Sequence, residues 1–513
     1  MRRLKAARHT LGRWFSIPWY PIAISAYPVL ALLATNIGEV GPDAAIRPFL
    51  VSVLFGGLLF LLLWLFLRQA HKAAFLAACW LALFFSFGHA FIYLEQKYPD
   101  ASYELWLASG WIALFLLTLV WTTRPNLSFV SATPTLNAVA LALVVMSAVQ
   151  IIPEVETPRA HALAIPDAPI QTDLVRSDKP PDVYFFLLDS YGRADLLEQA
   201  YGFDNSEFLK ALEERGFFVA ECSRSNYVRT ELALASELNM QYLQDLSEKF
   251  EPESTSRRLL WNALQHSAVR YNFQSLGYKI VTARTEFDWL NIDDSDRFLS
   301  PPPISSGLTE FEGLLLRTTL ARYAQDWGWV DPDHILGVAA RDRFHHVFNS
   351  VDDIAQMPQP TFSYLHLISP HPPFVFDAGG NPTHPADFWN EKRLYTADLY
   401  KQGYVNQAQF LNKKLLQAVD TILAESEVPP IIIIQGDHGP WLQPRDRRMW
   451  ILAAIYLPGH ENKLYSTISP VNIFRLVFNS YFGGKYDMLE DVSYFSPVPK
   501  LYDFSVVRGS CRN

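Results

Sequence analysis

The sequence predicts two parts of different fold class: an N-terminal bundle of five transmembrane helices and a C-terminal α/β domain with a mostly parallel central sheet. Five apolar stretches, each of roughly 20 residues and so able to cross a hydrocarbon core, occupy residues 1–152. A proline-rich segment follows at 153–181. From residue 182 onward, short apolar runs alternate with stretches of helical periodicity, which is typical of a parallel sheet covered by helices.

The apolar stretches have no acidic or basic residue in their central parts. They lie near Pro18–Ile37, Pro48–Leu67, Ala73–Leu94, Tyr103–Thr122 and Pro134–Ile152. The basic residues that precede the first stretch or lie in the second and fourth connecting loops are Arg2, Arg3, Lys5, Arg8, Arg13, Arg68, Lys72 and Arg124. The other loops are mainly acidic, with Glu39, Asp43, Glu95 and Asp100. Because basic loops stay in the cytoplasm, we expect a cytoplasmic N-terminus and an extracytoplasmic domain after five crossings.

Composition and the linker narrow the class of protein further. The formal net charge of −9 argues against nucleic acid as a partner. Six prolines among small and charged residues make 153–181 an extended tether that leads to a catalytic domain at 182–513. The three cysteines exclude a disulfide-rich scaffold and lack the spacing of a zinc site. Cys222 and Cys511 are both expected outside, where oxidation is allowed, but the sequence leaves their pairing open.

Two apolar runs in the second half stop abruptly at carboxylates. Val183–Leu188 is followed by Asp189, and the run from Ile431 to Ile434 leads through Gln435-Gly436 to Asp437 and His438. Ligands of open α/β sheets bind beyond the carboxyl ends of the strands, so these side chains are expected to converge. Two carboxylates and an imidazole are suited to a divalent metal ion. For Asp189 alone, a turn-capping role stays an alternative.

Further elements complete the predicted α/β domain. Strands are expected at Lys279–Thr282, Thr361–Ile368 and Ile451–Leu457, and helices at Asn205–Arg215, Glu231–Leu243, Arg257–Leu276 and Asn406–Ala424.

Thr230 stands where the second of these helices is expected to begin. It can be an ordinary N-cap. Its hydroxyl can equally be a nucleophile, since backbone N–H groups at a helix N-terminus bind phosphate and a metal on the oxygen favours the alkoxide. Both interpretations stay open at this point.

Several histidines and arginines are further candidates for the site. His371 follows a predicted strand and could donate to a phosphate oxygen, protonate a leaving alkoxide, or hold its own loop. His366 lies within that strand, where a structural role and a site role are equally open. Arg193 follows Asp189, and the basic loop of Arg445, Arg447 and Arg448 follows the Asp-His-Gly turn. Each of these arginines can bind substrate or stand as a solvated surface residue.

Four short segments, taken in order, resemble the motifs of the alkaline-phosphatase/sulfatase superfamily. They are Leu188-Asp189, Arg229-Thr230-Glu231, Ser369-Pro370-His371-Pro372 and Gly436-Asp437-His438-Gly439. With its apolar N-terminal half, the chain is similar to the lipoteichoic acid synthase and phosphoglycerol transferase branch, and phosphoethanolamine transferases are close relatives of that branch. Those membrane transferases usually have glutamate where this chain has Asp189. The sulfatase pattern of Cys or Ser followed by Pro and Arg does not occur here, which disfavours sulfate esters.

The resemblance implies a role for each matching residue. Asp189, Asp437 and His438 would be metal ligands, Thr230 would be the nucleophile and would also touch the metal, and His371 would lie against the phosphate. His366, Arg193 and Arg445 are added as candidates for substrate binding. One divalent ion is expected, Mn²⁺ in first place with Mg²⁺ or Zn²⁺ as alternatives.

The activity implied by the resemblance is that of a sulfatase-like phosphotransferase in a bacterial cytoplasmic (inner) membrane. It would move a phosphoglycerol-type group from a phospholipid donor to an envelope glycan or polymer through a phosphothreonine intermediate. The alternatives are a phosphoethanolamine transferase, a hydrolase of phosphodiesters or sulfate esters, and a non-catalytic envelope assembly protein.

Overall fold

The computed structural model describes residues 15–37, 40–98, 103–156, 169–254, 257–302, 309–323, 331–358, 360–389, 395–498, 500–509 and 511. The chain forms two compact units: one comprises Met1–Pro158 with Leu308–Pro332, and the other comprises Arg159–Gly307 with Asp333–Asn513. The basic residues that precede the first apolar stretch, and residues 157–168 of the proline-rich tether, lie outside the described residues.

The first unit contains the apolar helices that the sequence predicts. They are α1 (Tyr20–Asn36), α2 (Ile46–Leu67), α3 (Ala70–Lys97), α4 (Glu104–Thr123) and α5 (Thr133–Glu156). The last four are long and apolar enough to cross a membrane, whereas α1 has 17 residues. At 1.5 Å per residue α1 is about 25 Å long, shorter than a typical hydrocarbon core, so a fifth crossing stays a prediction. Large apolar side chains on α2 point outward, with Leu62 63% and Phe66 75% exposed, as lipid-facing residues do.

The first unit also includes the segment Leu308–Pro332, which follows the first part of the predicted catalytic domain in the sequence. Its helix α12 (Glu310–Arg317) begins at a capping box formed by Thr309 and Glu312. Phe311 is buried in a cluster with Val29 and Ala45 of the apolar bundle. Burial of this apolar residue against distant helices is a tertiary effect that local periodicity does not reveal.

A backbone contact continues this association beyond α12. The N–H of Gly88 in α3 donates to the Thr318 carbonyl oxygen at 3.1 Å, and the Leu320 N–H donates to the Phe84 carbonyl oxygen at 2.8 Å. A Cβ atom at position 88 would lie 2.2 Å from the Arg317 carbonyl oxygen, so only glycine permits this approach.

Ionic and polar contacts of the same segment lie at one end of the apolar helices. Glu312 forms an ion pair with Arg47, Arg322 lies 3.7 Å from Glu95, and the Tyr323 hydroxyl donates to the Glu104 carbonyl oxygen.

The second unit is built on a seven-stranded sheet in the order β2-β7-β6-β1-β5-β3-β4. The strands are β1 (Val183–Leu188), β2 (Phe218–Val219), β3 (Lys279–Ala283), β4 (Arg297–Leu299), β5 (Thr361–Leu367), β6 (Ile431–Gly436) and β7 (Ala453–Tyr456). The five strands from β6 to β4 run parallel, and β7 and β2 pair antiparallel at one edge. A separate two-stranded ribbon joins Tyr494–Phe495 to Ser505–Val506. The predicted α/β class with a mostly parallel sheet is confirmed.

Helices cover both faces of this sheet. They are α6 (Ala194–Tyr201), α7 (Ser206–Glu213), α8 (Thr230–Glu237), α9 (Leu243–Leu246), α10 (Arg258–Gln265), α11 (Ala268–Ser275), α13 (Pro332–Asn349), α14 (Val351–Ala355), α15 (Ala397–Glu425) and α16 (Pro470–Tyr481). Alternate residues of β1 enter two different cores: Phe186 packs in one and Phe185 in the other. All side chains of β1 are buried, which explains why its sequence is a continuous apolar run.

Two predicted helices are shorter than expected. In the stretch Glu231–Leu243, helix α8 already ends at Glu237, and the next helix, α9, begins only at Leu243. The stretch Arg257–Leu276 forms two helices, because Ser267 begins the second one by accepting a hydrogen bond from the Arg270 N–H. Cys222 and Cys511 form a disulfide across 289 residues, which settles the pairing that the sequence left open, and Cys79 is unpaired.

Candidate metal centre

The register of the central strands brings the predicted ligands together. Leu188, the last residue of β1, pairs with Gly436 of β6 on one side and with Leu367 of β5 on the other. Asp189 and Asp437 therefore leave the sheet side by side at its carboxyl edge. Gly436 is required here, because a Cβ atom at this position would lie 2.3 Å from the Tyr191 carbonyl oxygen.

Three potential ligands converge at this edge. One ligand atom from each of Asp189, Asp437 and His438 lies within 4.8 Å of the others, and all three residues are buried. Both carboxylates are at most 2% exposed. Since two buried carboxylates repel each other, this arrangement is one that a cation stabilises.

Backbone N–H groups orient the Asp437 carboxylate. Its Oδ1 accepts hydrogen bonds from the Ser190 N–H at 2.9 Å and from the His438 N–H at 2.7 Å. Its Oδ2 is buried and has no hydrogen-bond partner among the described residues. An unpartnered carboxylate oxygen beside a second carboxylate and an imidazole fits a divalent cation.

Thr230 lies next to this cluster. It is the first residue of α8, and Arg229 holds the N-cap position, so the Thr230 hydroxyl is not the ordinary N-cap that the sequence left open. The Thr230 Oγ1 lies 3.3 Å from the His438 Nε2. Two donors bound to one ion at about 2.0–2.2 Å each are separated by a distance of this order.

The electrostatics of the two carboxylates differ. Burial, followed by the negative charge of Asp437, raises the pKa of Asp189 well above its ordinary value. Burial by itself would also raise the pKa of Asp437, but the neighbouring His438 and the Ser190 N–H lower that pKa below its ordinary value. Asp437 is therefore the carboxylate that stays ionised most readily, and Asp189 is the one that needs a cation nearby to ionise.

The two histidines of the β5 region occupy different positions. The His371 N–H donates to the Asp189 carbonyl oxygen at 3.2 Å, so this residue adjoins the metal cluster and is half-buried. His366 is buried, and burial lowers its pKa to about 4. Both of its ring nitrogens lack hydrogen-bond partners among the described residues.

A cavity adjoins this region. It is lined by His366 and Ser369 and, among other residues, by Arg284, Glu286 and Arg343. Arg343 and Glu286 form an ion pair at 2.8 Å that is largely buried. The negative charge of Glu286 also contributes to the raised pKa of Asp189, which indicates that the cavity and the metal cluster are close.

Two arginines that the sequence singled out are engaged elsewhere. Arg193 forms an ion pair with Asp195 and stacks on the Trp450 ring. Arg445 is exposed and lies 3.9 Å over the Phe495 ring. None of these contact partners is a residue of the metal cluster.

Sequence reasoning missed three features. Ser190 adopts a positive φ of 65° and binds Asp437 through its backbone. Glu237 is fully buried and accepts two hydrogen bonds from the Gln435 amide. Its spacing of seven residues from Thr230, two helical turns, is a signal that could have placed it toward the same strand end. Arg448 donates to the Val228 carbonyl oxygen, and no local pattern distinguishes it from its neighbours.

Comparisons with known proteins find similarity at the level of solved structures. No family model matches the chain, and no curated protein matches it. The chain is similar to the zinc-bound periplasmic domain of EptC from Escherichia coli, with 12% identity and a TM-score of 0.44 over 66% of this chain and 96% of that one. It is similar to the integral membrane lipooligosaccharide phosphoethanolamine transferase EptA from Neisseria meningitidis, with 11% identity and a TM-score of 0.39 over 90% and 94%.

A third similar structure is the lipoteichoic acid synthase LtaP from Listeria monocytogenes, with 14% identity and a TM-score of 0.37 over 62% of this chain and 77% of that one. Because these scores are all below 0.5, they carry no conclusion about activity. In the order of its motifs, the chain resembles the alkaline-phosphatase/sulfatase superfamily.

Proposed function

We propose that this protein is a membrane-anchored, metal-dependent phosphotransferase that uses Thr230 as its nucleophile. The observation that carries the proposal is the position of the Thr230 hydroxyl, 3.3 Å from His438 in a buried cluster with Asp189 and Asp437. A hydroxyl beside such a cluster and at a helix N-terminus has both a means of activation and backbone N–H groups for a phosphate.

Asp189, Asp437 and His438 would hold one divalent ion, with the Thr230 oxygen as a further donor. The ion would supply Lewis-acid chemistry, favouring the threonine alkoxide and offsetting charge that develops on phosphorus. Oxygen donors with one imidazole suit Mn²⁺, and they leave Mg²⁺ and Zn²⁺ as alternatives.

Thr230 would act in two steps. Its hydroxyl loses its proton to solvent as the oxygen attacks the phosphorus of a phospholipid, the bond to the diacylglycerol oxygen breaks, and a phosphothreonine diester forms. His371, next to Asp189, would supply the proton to the leaving alkoxide. An acceptor hydroxyl from an envelope glycan or polymer then attacks phosphorus, loses its proton and releases Thr230.

The charges near the cluster favour a phosphoglycerol donor. Among the described residues that line the adjoining cavity, the carboxylate is that of Glu286, and it is already paired with Arg343. A positively charged ethanolamine group would need an unpaired carboxylate or an aromatic cage, whereas a neutral glycerol group needs hydrogen-bonding side chains only. The apolar helices of the first unit are consistent with a donor that resides in the bilayer.

The test is the mass of the adduct on Thr230. The full-length protein in detergent with Mn²⁺ would be incubated with phosphatidylglycerol or with phosphatidylethanolamine, quenched in acid and analysed by peptide mass spectrometry. We expect a glycerophosphate mass on the Thr230 peptide from phosphatidylglycerol, and no adduct in a Thr230→Ala variant. A Thr230→Ser variant serves as the matched control that keeps the hydroxyl.

Each outcome separates the candidate functions. A phosphoethanolamine mass would identify the alternative transferase, and a bare phosphate would identify a hydrolase with a phosphorylated intermediate. Release of diacylglycerol at an unchanged rate by Thr230→Ala would rule out the mechanism. A protein that neither binds Mn²⁺ nor forms an adduct would be the non-catalytic assembly protein.

A further inference from the structure

The three arginines after the Asp-His-Gly turn have different environments. Arg445 and Arg447 lie over aromatic rings, of Phe495 at 3.9 Å and of Trp450 at 5.7 Å. The Arg448 side chain instead reaches the loop that leads to the nucleophile. Its Nη2 donates to the Val228 carbonyl oxygen at 3.1 Å, two residues before Thr230.

The backbone of Arg448 is tied to the metal cluster as well. Its carbonyl oxygen accepts a hydrogen bond of 2.7 Å from the N–H of Gly439, the residue after His438. Arg448 therefore bridges the turn that presents His438 and the loop that presents Thr230. Because the backbone is fixed by Gly439 and the side chain by Val228, the guanidinium group has lost rotamer freedom before any ligand binds, which favours a binding role.

The guanidinium group of Arg448 is not fully paired. Its Nε is buried and has no hydrogen-bond partner among the described residues. Burial, followed by the positive charge of Arg229, lowers the pKa of Arg448, while the charges of Asp437 and Asp189 oppose this change. Two neighbouring cations with an unused buried donor, close to both carboxylates of the cluster, form a site that an anion completes.

We propose that Arg448 is a catalytic residue whose guanidinium group binds a non-bridging oxygen of the transferred phosphoryl group, with Arg229 beside it. The inference rests on the proposed function and deepens it, because it identifies the residue that holds the phosphate anion. Charge on the equatorial oxygens grows as the lipid oxygen leaves and Thr230 bonds to phosphorus, and again when the acceptor displaces Thr230. A fixed guanidinium stabilises that charge in both steps.

The test compares Arg448→Gln and Arg448→Lys with Arg445→Gln, a matched control from the same loop. The first readout is the affinity of the full-length, Mn²⁺-loaded protein for inorganic phosphate, measured by calorimetry. The second is the rate at which the Thr230 adduct forms in a single turnover. We expect Arg448→Gln to weaken phosphate binding at least about 10-fold, because one charge-assisted hydrogen bond is lost. The same variant should slow adduct formation by about 100-fold. Arg448→Lys should recover part of both losses, and Arg445→Gln should match the wild type.

A structural role would give a different result. If Arg448→Gln weakened Mn²⁺ affinity as much as phosphate affinity, or if its phosphate affinity equalled that of the wild type, the inference would be wrong. If the wild type formed no adduct, the proposed function would be wrong. The phosphate affinities of the wild type and the variants would still test the role of Arg448. Should Arg448→Gln not fold, Arg448→Lys against Arg445→Lys decides the question by the same two readouts.

Discussion

The two units of this chain differ in which groups they expose and which they bury. The apolar helices of the first unit expose large side chains such as Phe66 and satisfy their polar backbone internally. The sheet of the second unit buries every side chain of β1 and β6 and collects ionisable groups at its carboxyl edge. In the first unit polar groups are paired by backbone atoms, as at Gly88, or by side chains, as in the ion pair of Glu312 with Arg47. In the second unit two buried carboxylates and an imidazole lie together at one site.

This difference indicates where function resides. A backbone hydrogen bond inside the first unit is neutral and complete, so it contributes structure only. Two buried carboxylates carry charge that folding alone does not neutralise, so the second unit gives up stability unless a cation binds. Substitutions in the first unit should therefore act through stability, and substitutions at the cluster of the second unit should act through metal binding.

The largest effect is expected at Asp437. Asp437→Asn removes a ligand from the cluster, so Mn²⁺ affinity should fall more than about 100-fold and turnover about 1,000-fold. Mn²⁺ should therefore stabilise the variant against unfolding much less than it stabilises the wild type. Thermal unfolding with and without Mn²⁺ measures this difference, and the rate of diacylglycerol release measures turnover. Exposed Asp446→Asn is the control, and an Asp437→Asn variant that Mn²⁺ stabilises as much as the wild type would contradict this account.

A smaller effect, on stability alone, is expected at Gly88. Gly88→Leu places a side chain against the Arg317 and Thr318 backbone and should destabilise the first unit by about 1–3 kcal/mol. Gly57→Leu is the matched control, since nothing lies within 4 Å of a Cβ atom there. Thermal unfolding in detergent and protease sensitivity of the Leu308–Pro332 segment report the change. Equal stability of the two variants would show that the contact is dispensable.

A change in the pH dependence of stability, rather than a loss of stability at one pH, is expected at Glu237. Burial raises the pKa of this carboxyl from 4.5 to about 8. In the metal-free protein the folded state keeps a proton that the unfolded state releases, so stability falls as pH rises from about 4.5 to about 8, by at most ~1.4 kcal/mol per pH unit. Glu237→Gln should flatten this slope of stability against pH, whereas Glu248→Gln on the surface should leave the slope unchanged. Denaturant unfolding at several pH values measures the slope, and parallel curves for wild type and Glu237→Gln would contradict the raised pKa.

Local patterns were sufficient for much of the fold. The run Val183–Leu188 is the observed β1 residue for residue, because a strand buried on both faces must be continuously apolar. Parallel strands present their carboxyl ends at one edge, so the proximity of Asp189 and Asp437 also followed from sequence. The apolar helices could be predicted from the sequence equally well, since a helix that crosses a bilayer requires about 20 apolar residues in succession.

Long-range packing decided what the sequence left undetermined. It assigned Leu308–Pro332 to the first unit, joined Cys222 to Cys511, and turned Arg448, rather than Arg445, toward the nucleophile loop. The sequence by itself determined the longer strands, the apolar helices and the positions of the carboxylates, because periodicity and apolar run length are local properties; the short strands β2 and β4 were not predicted. Only the tertiary structure decided which loop side chains reach the centre, since loop direction depends on contacts between residues far apart in the chain.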